Sequence, residues 1–158
     1  MNATNIRKLA KTNMKAARDM LADLALELLA QEPPVMEHYC DIASTLRVAL
    51  GIRAEERFAA AFFDSQMRYL GFRVYDGGSR TRTVLYMRAL ARDALHLDAT
   101  VLVLAHNHPS GNPQESRMDR ELTRRVKDCL VCLEVELRDH LILLPNGQYS
   151  SFKDRGML

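Results

Sequence analysis

The sequence predicts a mixed α/β fold of the α+β kind, with helices packed on a mixed sheet and a short helical segment ahead of it. Three observations carry this. Up to about residue 50, apolar residues recur at helical spacing. From Glu56 onward, short runs of aromatic and β-branched residues alternate with helix-period stretches. The chain has 158 residues, 47% of them hydrophobic, which suffices for one sizeable core. Residues 1–52 are accordingly read as a helical N-terminal segment and 53–158 as the domain that follows.

The elements follow in order. Over 3–31, Ile6, Leu9, Ala10, Met14, Ala17, Met20, Leu21 and Leu24 predict one amphipathic helix or two. Arg7, Lys8, Lys11, Lys15 and Arg18 read first as a solvated face, with a weak anionic contact as the sharper alternative. Pro33-Pro34 ends the helix. Asp41 is expected to cap a further helix to Leu50, with Gly51 as its stop. Phe58–Phe63 and Arg68–Tyr75 read as an antiparallel pair turning at Asp64–Met67, and Phe62, Phe63, Phe72 and Tyr75 as core. Asp76–Ser79 is a loop. Residues 83–97 carry Leu85, Leu90, Ala94 and Leu97 on one helical face. Thr100–Ala105 is short, branched and uninterrupted, as a strand buried on both faces should be. A helix over about 116–131 follows, then short strands near 134–138 and 140–144, a turn at Pro145–Gly147 and a last strand over 149–152.

Composition excludes several classes. Lys and Arg number 22 against 20 Asp and Glu, a net charge of +2, too small to indicate nucleic-acid binding through the global field. No apolar run approaches the roughly 18 residues of a spanning helix, so no membrane partner is expected. The basic start lacks an apolar stretch before Met20, so no secretory signal is expected either. Cys40, Cys129 and Cys132 are sparse and odd in number, which fits a reducing, cytoplasmic setting. Cys129 and Cys132 form a C-x-x-C, but on the apolar face of Val126, Leu130 and Leu133, and read as core.

The chemistry concentrates in the stretch from His106 to Asp119. His106 and His108 stand at i and i+2 after the buried strand, so two imidazoles project to the same side. Pro109, Gly111 and Pro113 then turn the chain. Ser116 is placed to cap the next helix, with Asp119 in its first turn. Two imidazole nitrogens and a carboxylate oxygen form a three-ligand zinc set with one position left for water, and zinc brings a bound water to ionise near neutrality. Such a water needs a proton acceptor outside the ligand set. Glu56, at the entry to the 58–63 strand, is the candidate, with Glu55 its immediate rival. His38 and His96 lie in helical segments and read as structural. Asp139-His140 reads as a buried polar pair tying strands together, with a role around the metal as the alternative. Arg124, Arg125 and Lys127 form a modest basic patch whose default reading is a solvated helix face.

The spacing H-x-H-P-x6-S-x2-D, met by His106, His108, Pro109, Ser116 and Asp119, resembles the signature of the JAMM (MPN-type, JAB domain) zinc metalloproteases. The fuller string HNHPSGNP with Ser116, Asp119 and Thr123 is similar to the RadC family within that superfamily. Glu56 ahead of Phe58, Gly78-Ser79, Arg88, Ala94-Leu95, Asp139-His140, Ser151-Phe152 and Gly156 extend the likeness over roughly 54–158. Two features depart from it. No helix-hairpin-helix-like element is visible in the N-terminal 52 residues, and Met87-Arg88-Ala89 stands where the family has Pro-Arg-Glu.

The resemblance implies a cytidine deaminase-like fold with a mixed curved sheet between helices, and zinc held by His106, His108 and Asp119. It implies Glu56 as general base and Ser116 as a donor to the oxyanion. The expected activity is hydrolysis of peptide or isopeptide bonds in a protein or peptide substrate. The principal alternative is a DNA repair or recombination factor that binds nucleic acid and keeps a structural or vestigial metal site. A metal-free protein-interaction module is the third reading, and the intact ligand set counts against it.

Overall fold

The computed structural model describes residues 3–31, 39–50, 53–75 and 80–158. The elements run α1 (Ala3–Thr12), α2 (Met14–Gln31), α3 (Tyr39–Leu50), β1 (Phe58–Phe63), β2 (Tyr69–Tyr75), α4 (Arg80–His96), β3 (Val101–Asn107), α5 (Arg117–Val131), β4 (Glu136–Leu143) and β5 (Tyr149–Ser151). The five strands form one mixed sheet in the order β2-β1-β3-β4-β5. Only β3 and β4 pair in parallel, with α5 as the crossover; the other pairs are antiparallel.

The sheet is buried on both faces. Ala59, Ala61, Phe63, Val101, Val103, Ala105, Leu141 and Leu143 meet Ile42, Leu46 and Leu50 of α3 on one side. Ala60, Phe62, Leu102, Leu104 and Leu137 meet Leu90 and Ala94 of α4 and Val126 and Leu130 of α5 on the other. Burial on both faces is why β1 and β3 are continuous apolar runs rather than alternating ones. Asp64 closes the β1–β2 turn, its Oδ1 accepting from the N–H groups of Gln66 and Arg68 at 2.9 Å each. Gly71, at φ 151°, lies beside the slip in register between Phe62 and Phe63.

The N-terminal stretch is two helices. Asn13 separates them, its side chain accepting from Ala16 N–H at 3.0 Å as a cap for α2. The apolar face anticipated there is only partly covered. Ala17 and Ala22 are buried, whereas Met14, Leu21 and Leu24 are exposed. Along α2, Lys15, Asp19 and Asp23 stand one turn apart and grip the segment before β1. Lys15 pairs with Glu55, Asp19 accepts from Ala54 N–H, and Asp23 accepts from the buried Arg53 at 2.7 Å.

Several expectations need correction. Asp41 lies within the first turn of α3 rather than capping it, because the helix begins at Tyr39. The two strands expected near 134–138 and 140–144 are one, β4. Its pairing runs from Leu102–Leu137 to Val103–Asp139, so Arg138 is an extra residue that bulges out of the ladder. The histidine strand runs on to Asn107, since Phe58 on one side and Ile142 and Leu143 on the other continue to pair with it. Phe72 is half-buried at the margin of the core. Cys132 is exposed at the end of α5 rather than in the core, and Cys129 is partly buried; His96, read as structural, is exposed in the last turn of α4. Pro33-Pro34, His38, Gly51 and the 76–79 loop lie outside the described residues. Among the described residues no helix is long and apolar enough to cross a membrane.

Candidate metal centre

Three elements converge at the C-terminal end of β3. The strand carries His106, fully buried, on the side that faces α5. The loop after it carries His108, and the first turn of α5 carries Asp119. His106 Nε2 lies 3.0 Å from His108 Nε2 and 3.4 Å from Asp119 Oδ1, and His108 Nε2 lies 3.6 Å from Asp119 Oδ2. Glu56 arrives from the segment before β1, with Oε1 3.5 Å from His108 Nε2. One ligand atom from each of these four residues lies within 4.8 Å of all the others.

This donor set suits a small divalent cation. Ligand atoms about 2.0–2.1 Å from a tetrahedral ion stand roughly 3.3 Å apart, close to the separations among His106, His108 and Asp119. Electronics agree with distance. The Asn112 carbonyl, 2.8 Å from His108 Nδ1, can only accept, so His108 carries its proton on Nδ1 and turns a lone pair on Nε2 toward the cluster.

Asp119 is held in place by the cap of its own helix. Its Oδ2 accepts from Ser116 N–H at 2.7 Å, and its own N–H donates to Ser116 Oγ at 3.1 Å, a reciprocal capping box. Burial works to raise the Asp119 carboxyl, but the neighbouring His106 ring and the two Ser116 contacts outweigh it and hold the group well below the usual carboxylate range. Ser116→Ala should therefore cost about 1 kcal/mol in chemical denaturation through the lost cap. An unchanged unfolding midpoint would show that the box adds nothing.

Glu56 owes its place to a residue whose role the sequence does not disclose. Asn107 is buried between the two histidines. Its Oδ1 accepts from Arg57 N–H at 2.8 Å, and its Nδ2 donates to the carbonyls of Arg53 and Glu55 at 3.3 and 3.0 Å. One amide thus ties the 53–57 segment to the histidine strand. The rival, Glu55, is engaged by Lys15 and stands 3.8 Å from Arg57; the four-residue cluster contains Glu56 and not Glu55.

Behind the cluster lies His140 on β4, fully buried, with Nε2 2.8 Å from His106 Nδ1. Its Nδ1 is 2.6 Å from Thr123 Oγ1, which lies 2.6 Å from the Asp119 carbonyl. Phe58 stacks on His106 and Phe152 on His140, at ring separations of 4.9 and 4.6 Å. Burial pushes His140 well below the ordinary imidazole range. The tie expected of Asp139-His140 is therefore divided. Asp139 binds strands and the C-terminal turn, accepting from Ser151 Oγ at 2.6 Å and Lys153 N–H at 3.0 Å. His140 instead adjoins the cluster of His106, His108 and Asp119. Arg124 and Arg125 are exposed along α5 with Lys127, Arg124 lying 3.7 Å from Asp128, as a solvated face would have it.

A mixed sheet between helices, with two histidines at a strand end and a carboxylate at the facing helix start, defines a JAB-type domain with a potential metal-binding cluster. The model of the RadC-like JAB domain family matches residues 36–157, and the chain belongs to that family. It is similar to a UPF0758 protein of Burkholderia thailandensis, 37% identical over 141 residues that are 89% of this chain and 54% of the relative. A UPF0758 protein of Verminephrobacter eiseniae is 37% identical over 145 residues, 86% of this chain and 58% of that one. Another, of Albidiferax ferrireducens, is 39% identical over 126 residues, 80% and 51% of the respective chains. The chain spans about half the length of these curated relatives.

Proposed function

We propose that the chain is a zinc-dependent hydrolase of peptide or isopeptide bonds. The observation that carries this reading is the convergence of Glu56, His106, His108 and Asp119, two of them imidazoles and two carboxylates, at the end of one strand. His106, His108 and Asp119 would hold the ion. Zinc bound there supplies Lewis acidity and a water that ionises near neutral pH.

The remaining work falls to side chains. Glu56 is half exposed and 3.5 Å from His108, at the edge of the cluster rather than beneath it. A carboxylate so placed takes the proton of the attacking water and returns it to the leaving amine. Ser116 is exposed, and its Oγ accepts from Asp119 N–H, which leaves its hydroxyl proton available to the oxyanion. The substrate is a protein or peptide. We place the protein in the cytoplasm, where the free thiols Cys129 and Cys132 are at home.

The test is cleavage of a panel of linear peptides and lysine-linked isopeptides by the zinc-loaded chain. Cleavage should vanish on chelation and return with added zinc. A loaded chain that cleaves nothing, or cleaves equally well after chelation, sinks the proposal.

A further inference from the structure

The buried polar chain behind His106 has a direction that its geometry determines. The Asp119 carbonyl oxygen can only accept, so the Thr123 hydroxyl 2.6 Å away donates its single proton there, the i to i−4 bond common to helical threonines. With that proton committed, Thr123 Oγ1 can meet His140 Nδ1, also at 2.6 Å, only as an acceptor. His140 Nδ1 therefore carries a proton. His140 is wholly buried and uncharged, so its Nε2 bears a lone pair and accepts from the atom 2.8 Å away, His106 Nδ1. His106 in turn is protonated on Nδ1 and bare on Nε2, the nitrogen that faces His108 and Asp119.

We propose that Thr123 and His140 are positioning residues that fix the tautomer of His106, so that its Nε2 lone pair is presented to a cation before any cation arrives. The proposal rests on the metal-centre reading above. Its logic is that α5 acts on the site twice. Asp119 contributes its carboxylate directly, while one turn later Thr123 acts through two imidazoles on a ligand from another element. His108 reaches the same state by a shorter route, through the Asn112 carbonyl. Both imidazoles are thus preset, and neither has to move a proton to bind.

Thr123→Val keeps the shape of the side chain and removes the acceptor. His140 can then move its proton to Nε2 and donate to His106 Nδ1, which leaves the His106 proton on Nε2, where the cation should be. Nitrogen-15 NMR of the zinc-free chain, at a pH where both imidazoles are neutral, should show His106 and His140 protonated on Nδ1. In Thr123→Val both protons should shift to Nε2, and zinc affinity in chelator competition should fall about 10- to 100-fold. Thr123→Ser, which keeps the hydroxyl, should restore both readouts, an outcome that a packing role for the threonine methyl would not produce.

Wild-type His106 protonated on Nε2 would overturn the proposal. So would a Thr123→Val chain with unchanged tautomers and zinc affinity within about twofold of wild type. If Thr123→Val does not fold, the wild-type spectrum decides alone. If the wild type binds no zinc, the hydrolase reading fails, while the tautomers still judge this one.

Discussion

His106→Ala is expected to strip the chain of zinc. The imidazole is fully buried and stands closest to the other donors, 3.0 Å from His108 and 3.4 Å from Asp119. A structural zinc site is worth roughly 10–16 kcal/mol, so a quarter share per ligand is about 2.5–4 kcal/mol, on the order of 100- to 1,000-fold in affinity. Metal analysis of purified protein should fall from about one zinc per chain to a small fraction, and hydrolysis should go with it. The substitution also leaves His140 Nε2 without its donor and Phe58 without its stacking partner, so some stability is lost as well. His96→Ala is the control: His96 is exposed at the far end of α4, and its loss should change neither zinc content nor turnover. Full zinc occupancy in His106→Ala would remove this residue from the ligand set.

Glu56→Gln separates binding from chemistry. Glutamine keeps the size of the side chain and its neutral hydrogen bonding but cannot take up a proton at working pH. Zinc content should stay at about one per chain while turnover drops about 100- to 10,000-fold, the usual contribution of a positioned acid–base group. Glu56 is half exposed and its neighbours are held by Asn107 rather than by its own carboxylate, so the unfolding midpoint should hardly move. Glu55→Gln is the matched comparison. Its partner is Lys15 on the surface, and a solvent-exposed pair of this kind adds little to stability. Turnover in Glu56→Gln equal to wild type would mean that the proton goes elsewhere.

How much of this was legible beforehand depends on the distance over which each residue acts. His106, His108, Ser116 and Asp119 lie within fourteen residues, and their relation follows from local geometry, an extended i, i+2 pair and a helix cap. The centre of the sheet is legible for the same reason, since β1 and β3 are continuous apolar runs. What escaped were contacts between elements far apart in sequence. Asn107 meets carbonyls more than 50 residues away, and His140 reaches His106 across 34 residues. A polar residue inside an apolar strand announces a partner without naming it. Thr123 stands out only through family likeness, because a threonine on a helix has an ordinary explanation. That the sequence reads as two strands where β4 is one has a definite cause too. An alternating pattern cannot be carried through Arg138, where the phase is interrupted.

That interruption has a consequence for how the chain tolerates change in length. In a regular strand Leu137 and His140, three residues apart, would point to opposite sides. With Arg138 extruded, both face α5: Leu137 pairs with Leu102 and His140 with Leu104, two residues that share that face of the core. The first half of β4 is therefore uncoupled from the second. A chain lacking Arg138 would restore simple alternation and still turn His140 toward Thr123. A residue gained or lost between Asp139 and Leu143 would instead send either the histidine or the residues after it to the wrong side. Length variation among related chains should thus gather at one position of this strand and be absent from the rest, whatever residue occupies the bulge.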